Sequence, residues 1–380
     1  MASSSDVDLA DSGPVHMMAK NDCTGSSGIV IDWDKEEHRH CVAACLVKGV
    51  MVMMKDRSNP LAPAWWKSFG FRCRNVIKDD SWVSIDMDAS DQGSSDSGRD
   101  DEIFGATYEY EPPARLPRHP SAPSYVVAFR GTIPTNLGDL IHDIKIVYNT
   151  FSNSNRCDIT HDEVEGLLQG GANSCTMWLA GHSLGASQAL DVGRSMAEKG
   201  FNLPTFLFNP PQVSPAPAIY LLRPNEKAKM HLYATSSLLK VGLSKIVKSH
   251  EEHMEDLFKQ LYVHDSDPIC QGYVDYFEQR QLVQERFPSI GMSAMKLSYR
   301  DMFFSALNKD KERSHLLPSA LLWENSRMDN DVENHPSKCT LLRKANRLKK
   351  RVLKAHSLEQ WWKPDNELSL TKTQYNCPSA

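Results

Sequence analysis

Short apolar runs along the chain are separated by stretches with helical spacing. Tyr125 to Phe129 (YVVAF) is β-branched and aromatic with no charged position, the pattern of a strand covered on both faces. Thr176 to Ala180 (TMWLA), Thr205 to Phe208 (TFLF), Gln260 to Val263 (QLYV) and Ala320 to Trp323 (ALLW) read the same way. Gly185 to Lys199 and Lys227 to Lys259 repeat apolar residues at helical intervals and predict helices. Strands alternating with helices imply βαβ units, hence an α/β fold with a mostly parallel central sheet flanked by helices. Trp33 to Met54, with its core HRHCVAACLVKGVMVMM, predicts a further helix; Pro60, Pro63 and the Trp65–Trp66 pair mark a turn after it.

The segments without period set the boundaries. Residues 1–28 are polar and small and read as a disordered tail. Residues 87–102 (MDASDQGSSDSGRDDE) are acidic and rich in Ser and Gly, a mobile surface loop. Between them and beyond, 29–365 reads as a single domain, followed by a C-terminal tail at 366–380. A chain of 380 residues can bury most of its apolar surface in one core.

Composition narrows the class. With 41% hydrophobic and 24% charged residues the chain falls in the soluble globular range, and a net charge of −5 gives no field that favours nucleic acid. The opening MASSSDVDLADSGPVH is not a secretory leader. No apolar run reaches the roughly 18–20 residues that span a bilayer. The nearest, Cys41 to Met54, is broken by Lys48 and Gly49. A soluble cytoplasmic protein is the expectation. Nine cysteines, odd in number and without a C-x-x-C pair, argue against a disulfide framework or a structural zinc site. Cys41 and Cys45 read as two small buried thiols on one helix face.

Candidate chemistry begins at Gly181-His182-Ser183-Leu184-Gly185, between the TMWLA strand and the helical ASQALDVGRSMAEK. A serine on a sharp strand-to-helix turn needs neighbours with almost no side chain, and Gly181 and Gly185 supply them. The helix starting beside it turns free N–H groups and a positive dipole end toward developing negative charge. Ser183 is thus a candidate nucleophile, with the Leu184 N–H as a candidate oxyanion donor. A chance match in a Gly/Ser-rich loop competes with this reading, but the strand before and the helix after speak against it. Ser187 falls inside the helix.

Upstream, YVVAF runs into Arg130-Gly131-Thr132 and then IPTNLGDLIHDI. The pairing of AFRGT with GHSLG, in that order, resembles the class 3 (fungal-type) lipases. The resemblance covers most of Trp33 to Asp365. It is closest to a plant branch with a terminal A-H-x-x-x-Q-W-W motif, often labelled GDSL esterase/lipase, although this chain lacks a GDSL motif where that label requires one. It implies an α/β-hydrolase fold and a serine ester hydrolase using a Ser-His-Asp triad. It also implies that Thr132 donates a second N–H to the oxyanion, with Asp139 or Asp143 as the acidic residue that follows.

The acid and base should follow the serine in that order. After QLYV comes His264-Asp265-Ser266-Asp267-Pro268. Class 3 lipases place the triad aspartate in such a loop, which points to Asp267; Asp265 is the rival and suits a turn-stabilising role. For the base, His356 beside Trp361–Trp362 matches the family's C-terminal histidine. His315, before ALLW, stays open because the gap from Asp267 to His356 is longer than in typical members. His38 and His40 flank an amphipathic helix, His250 and His253 in a polar helical run have no third ligand in view and suggest no metal site, and His182 is the variable residue of its motif.

The resemblance implies a two-step acyl transfer on lipid esters through an acyl-enzyme, with no cofactor and no metal. Ile133 to Ile144 takes the place of the family's lid. Leu341 to Lys354 (LLRKANRLKKRVLK) is basic and amphipathic, compatible with peripheral contact with an anionic membrane or with a solvated helix face. Two other readings stay open: a non-catalytic lipase-like scaffold, and an esterase or thioesterase for soluble substrates. No pattern specifies an oligomeric state.

Overall fold

The computed structural model describes residues 13–17, 29–55, 65–79, 102–112, 117–131, 155–212, 259–286, 320–327 and 341–374. Among these residues eight strands form one sheet in chain order: β1 (Phe71–Asp79), β2 (Glu102–Tyr110), β3 (Tyr125–Phe129), β4 (Met177–His182), β5 (Thr205–Phe208), β6 (Lys259–His264), β7 (Leu321–Asn325) and β8 (Leu370–Gln374). β3 to β7 are parallel, and β1, β2 and β8 join antiparallel at the edges. The helices are α1 (Glu36–Lys55), α2 (Asn155–Gln169), α3 (Leu184–Glu198), α4 (Gln271–Arg286) and α5 (Leu341–Ala355).

Alternation along the central strands divides the core into two layers. Val127, Phe129, Leu179, Leu207, Leu261 and Leu322 face a layer containing α2, α3 and α4. Val126, Ala128, Trp178, Phe206, Phe208 and Tyr262 face the opposite layer, built on α1 and the 3-10 turn Leu358–Trp362. Cover on both faces is why the middle strands are continuous apolar runs. On the second face the Tyr262 ring stacks on Phe208 and Trp323, at 5.0 and 6.1 Å between centroids. α1 is buried from Cys41 to Val47, both thiols included, which makes it a core helix. Among the described residues no helix is long and apolar enough to cross a membrane.

The in-register parallel pairing positions the site. Phe129 lies opposite Gly181, and His182 opposite Phe208. The residues that follow β3, β4, β5 and β6 therefore emerge along one edge of the sheet, where parallel α/β sheets bind their ligands.

Several elements differ from the pattern-based expectation. β1 and β2 lie in a stretch with no strand signal, because β1 (FRCRNVIKD) is half-exposed and carries charges. β8 falls within 366–380, read as a tail: its LTKTQ residues lie on an exposed edge and show no apolar period. Val15–Met17, inside the expected N-terminal tail, forms a 3-10 turn that buries Met17, and the Met17 carbonyl accepts from the Val30 N–H at 2.9 Å. α2 was not anticipated either. The helix expected from Lys227 lies outside the described residues, as do Ile133 to Ile144 and the loop at 87–101, while Glu102 opens β2.

Gly49 sits in the interior of α1 against Tyr108, whose buried hydroxyl donates to the Leu46 carbonyl at 3.1 Å. A Cβ at position 49 would stand 2.8 Å from that hydroxyl and 3.3 Å from the Trp66 ring. Alanine gains about 1 kcal/mol over glycine inside a helix. Overpacking a filled layer costs about 1–3 kcal/mol, and the displaced hydrogen bond about 1 kcal/mol more. Gly49→Ala is therefore expected to lower stability by about 1–3 kcal/mol, seen as a lower urea midpoint. A midpoint at or above wild type would show that this layer yields freely.

Candidate active site

Ser183 occupies the bend between β4 and α3 with φ 53° and ψ −123°, a left-handed conformation strained for a residue with a side chain. Its N–H donates to the Phe208 carbonyl at 2.9 Å, tying the bend to β5. The flanking glycines are demanded by contact. A Cβ on Gly181 would lie 2.1 Å from the Gly185 carbonyl oxygen, and one on Gly185 would lie 2.4 Å from the Phe129 oxygen. Gly131, the glycine of the Arg130-Gly131-Thr132 motif, is as tight: its Cβ would fall 2.8 Å from that of Ser183. Leu184 begins α3, so its N–H has no helical acceptor. Thr132 lies outside the described residues; Gly131, just before it, abuts the serine.

His356 immediately follows α5 and reaches Ser183 from across the chain, with Nε2 2.9 Å from the serine Oγ. Its Nδ1 lies 2.7 Å from Asp267 Oδ2. The serine hydroxyl donates to Nε2, and the Nδ1–H donates to the carboxylate. Asp267 has no exposed surface. It also accepts from the Ile269 N–H at 3.0 Å, the Asn209 amide at 2.8 Å and the Cys270 thiol at 3.1 Å. Burial by itself would push this carboxyl up. The His356 charge outweighs that, together with hydrogen bonds from His356, Cys270 and Ile269, and holds it below the usual carboxylate range.

The rival positions separate. Asp265 turns to His264, with Oδ1 3.1 Å from Nδ1, and accepts from the Ser266 hydroxyl, as a turn residue would. His315 lies outside the described residues, and so do His250, His253, Asp139 and Asp143. Ser187 lies inside α3. Arg130 is a buried group, donating to the Ile103 and Gly131 carbonyls at 2.6 and 2.8 Å, and so braces the end of β3.

Two supports were not legible beforehand. Asn209, at the end of β5, has φ 46° and no exposed surface. Its amide nitrogen donates to Asp267 and, at 3.0 Å, to the Ala355 carbonyl, while its oxygen accepts from the Trp361 indole at 2.6 Å. One side chain thus fixes the acid, the residue before the histidine, and the Trp-Trp turn. Gln360 adds donations to the Ala355 and Ser357 carbonyls at 2.7 and 2.9 Å. The second support is His182. Its Nε2 donates to the His356 carbonyl at 2.8 Å, and burial, followed by the His356 charge, holds its pKa at about 3. It is therefore neutral beside the His356 imidazole.

One cluster has metal-ligand types: Cys157 and His161 on α2 and Asp191 on α3, with ligand atoms within 4.8 Å of one another. Its polar atoms already pair, the thiol with Asp191 Oδ2 at 3.2 Å and His161 with the same oxygen at 3.5 Å, and so join α2 to α3.

No protein-family model and no solved structure matches the chain. A protein of Arabidopsis thaliana named "GDSL esterase/lipase" is 29% identical over 399 aligned positions, which take in 97% of this chain and 98% of that protein. The two are similar end to end.

The Asn209 bridge generates a pair of expectations. Asn209→Ala leaves a buried carboxylate and the Trp361 N–H each short of a partner, at about 1–3 kcal/mol per unsatisfied group, and places a Cβ-bearing side chain at positive φ without a local hydrogen bond. A loss of about 2–4 kcal/mol in urea unfolding is expected, with Asn209→Gly about 1 kcal/mol less damaging because it tolerates that φ. A loss below about 0.5 kcal/mol would show that the bridge holds nothing.

His182 sets a pH dependence. Its pKa is about 6.5 in an unfolded chain and about 3 in the fold, so between those values the unfolded state binds the extra proton. Stability therefore falls as pH drops from 6.5 toward 3, at about 1.4 kcal/mol per pH unit from this group. Buried His40, also held at about 3, acts in the same sense, while Asp365, raised to about 6 by burial and by Glu37 and Glu36, acts in the opposite one. Comparing His182→Gln with wild type isolates the first contribution. The variant's midpoint should depend less steeply on pH between 6 and 4, and parallel curves would contradict the assignment.

Proposed function

We propose that this chain is a serine hydrolase of the α/β-hydrolase fold, of class 3 lipase type, that cleaves carboxylic esters of lipids through an acyl-enzyme. The observation that carries the reading is the unbroken path of hydrogen bonds from Ser183 Oγ, on a strained glycine-flanked bend, through His356 to buried Asp267, at 2.9 and 2.7 Å. The similarity to a plant protein named esterase/lipase supports the ester hydrolase part. That name includes GDSL, but the chain contains no Gly-Asp-Ser-Leu. Its serine lies in a strand–G-x-S-x-G–helix arrangement, which supports the α/β-hydrolase part of the reading; the class 3 part rests on the resemblance of the paired AFRGT and GHSLG motifs.

In the first step, Ser183 Oγ attacks the ester carbonyl while His356 Nε2 takes its proton. The Asp267 carboxylate holds the imidazole in the tautomer with hydrogen on Nδ1 and stabilises the imidazolium. Negative charge on the carbonyl oxygen is met by the Leu184 N–H at the start of α3 and by the Thr132 N–H. His356 then protonates the departing alcohol. In the second step water, deprotonated by His356, attacks the acyl-serine; the acid leaves and Ser183 recovers its proton. Neutral His182 spares the imidazolium a second positive charge at close range, since its ring centroid is 5.0 Å away.

Labelling with a fluorophosphonate probe tests the reading. Wild type should react at Ser183, and Ser183→Ala should not. With a short-chain ester, His356→Ala and Asp267→Asn should each lose on the order of 10⁴-fold in kcat, while His315→Ala should retain turnover. A folded wild type that neither labels nor turns over would leave a scaffold role, and loss of turnover in His315→Ala alone would move the base.

A further inference from the structure

α5 carries seven Lys and Arg and no Asp or Glu among its 15 residues, in a chain of net charge −5. Leu341, Ala345, Leu348, Val352 and Ala355 recur at three- and four-residue intervals, one stripe along a helix. At the C-terminal end the stripe is covered, with Val352 and Ala355 buried. One turn earlier the cover stops. Leu348 keeps 62% of its surface open, the largest value among the large apolar side chains of the described residues. Arg347, Lys349, Lys350 and Arg351 around it are exposed, and none is ion-paired among the described residues. The helix is held at its C-terminal end and presents an apolar residue ringed by cations near its middle.

We propose that α5 docks on an anionic lipid surface, with Leu348 entering the boundary between headgroups and acyl chains while Arg347, Lys349, Lys350 and Arg351 meet lipid phosphates. The cations supply charge complementarity that the rest of the chain lacks. The exposed leucine selects the class of partner, because a bilayer offers an apolar layer beneath its phosphates and a nucleic acid does not. α5 ends at Ala355 and His356 follows directly, so docking brings the part of the chain that carries the imidazole to the membrane. The proposal rests on the hydrolase reading for its purpose, delivery of a membrane-held ester, whereas the docking itself is independent of turnover.

Co-sedimentation of the full chain with vesicles tests it. Phosphatidylcholine vesicles with about 30 mol % phosphatidylserine should bind the chain, with binding weakened by salt, and pure phosphatidylcholine vesicles should bind far less. Each Lys or Arg near such a surface is worth about a fivefold change in partitioning, so Lys349→Ala/Lys350→Ala should lower it about thirtyfold. Leu348→Ser should weaken binding without altering its salt dependence. Ser183→Ala should bind like wild type, and both α5 variants should turn over a soluble short-chain ester at the wild-type rate, which separates failure of docking from failure of the hydrolase reading. Equal binding to neutral and anionic vesicles, unaltered binding by the double variant, or capture of a duplex oligonucleotide in place of vesicles would each overturn the proposal.

Discussion

A carboxylate with no exposed surface is stable as an anion only if its lone pairs are met, and Asp267 is the point on which this site turns. Four donors converge on it: the Ile269 N–H, the Cys270 thiol, the Asn209 amide and the His356 imidazole. They come from its own turn, from the end of β5 and from the chain beyond α5. The charge therefore does structural work first, gathering three segments distant in sequence, and orients the imidazole as a consequence. Satisfied in this way a buried polar network favours one arrangement; with a member missing it becomes costly.

The legibility of the fold follows burial. β3, β4 and β5 were readable because cover on both faces makes them almost wholly apolar, with Thr205 and His182 only at strand ends, and the bounds shifted by no more than a few residues. β1 and β8 were not readable, because an edge strand half-exposed to water needs no apolar period: FRCRNVIKD and LTKTQ look like connecting chain. What makes them strands is hydrogen bonding to a neighbour already in place, β1 along β2 and β8 along β7. Tertiary context decided these segments, not local propensity.

The site divides in the same manner. Gly181, Ser183 and Gly185 were visible because a local turn forces small neighbours, a constraint written within five residues. Asp267 and His356 could be named only by resemblance, since nothing in their own segments requires an imidazole and a carboxylate to meet. Asn209 carried no signal at all. In FNPP it reads as an ordinary turn residue, and its function depends on Asp267, Ala355 and Trp361 arriving together. Its positive φ, shared with Ser183 at the end of the adjacent strand, marks two neighbouring places where local preference yields to the assembled structure.

The A-H-x-x-x-Q-W-W segment gains its meaning from this convergence. Trp361 is wholly buried against Phe208 and Tyr262, so it fixes the 3-10 turn to the sheet by apolar contact, while its N–H locks the Asn209 amide in the orientation that gives both amide hydrogens away. Gln360 holds the Ala355 carbonyl from the other side and receives the Asn325 amide at 3.0 Å. His356 is thus gripped just before and just after its own position, and the His182 ring takes its carbonyl. With so few torsions left free, the imidazole has little choice but to face Ser183. Preorganisation of this kind is settled when the chain folds, which is how a histidine so far along the chain comes to rest 2.9 Å from a serine on the bend after β4.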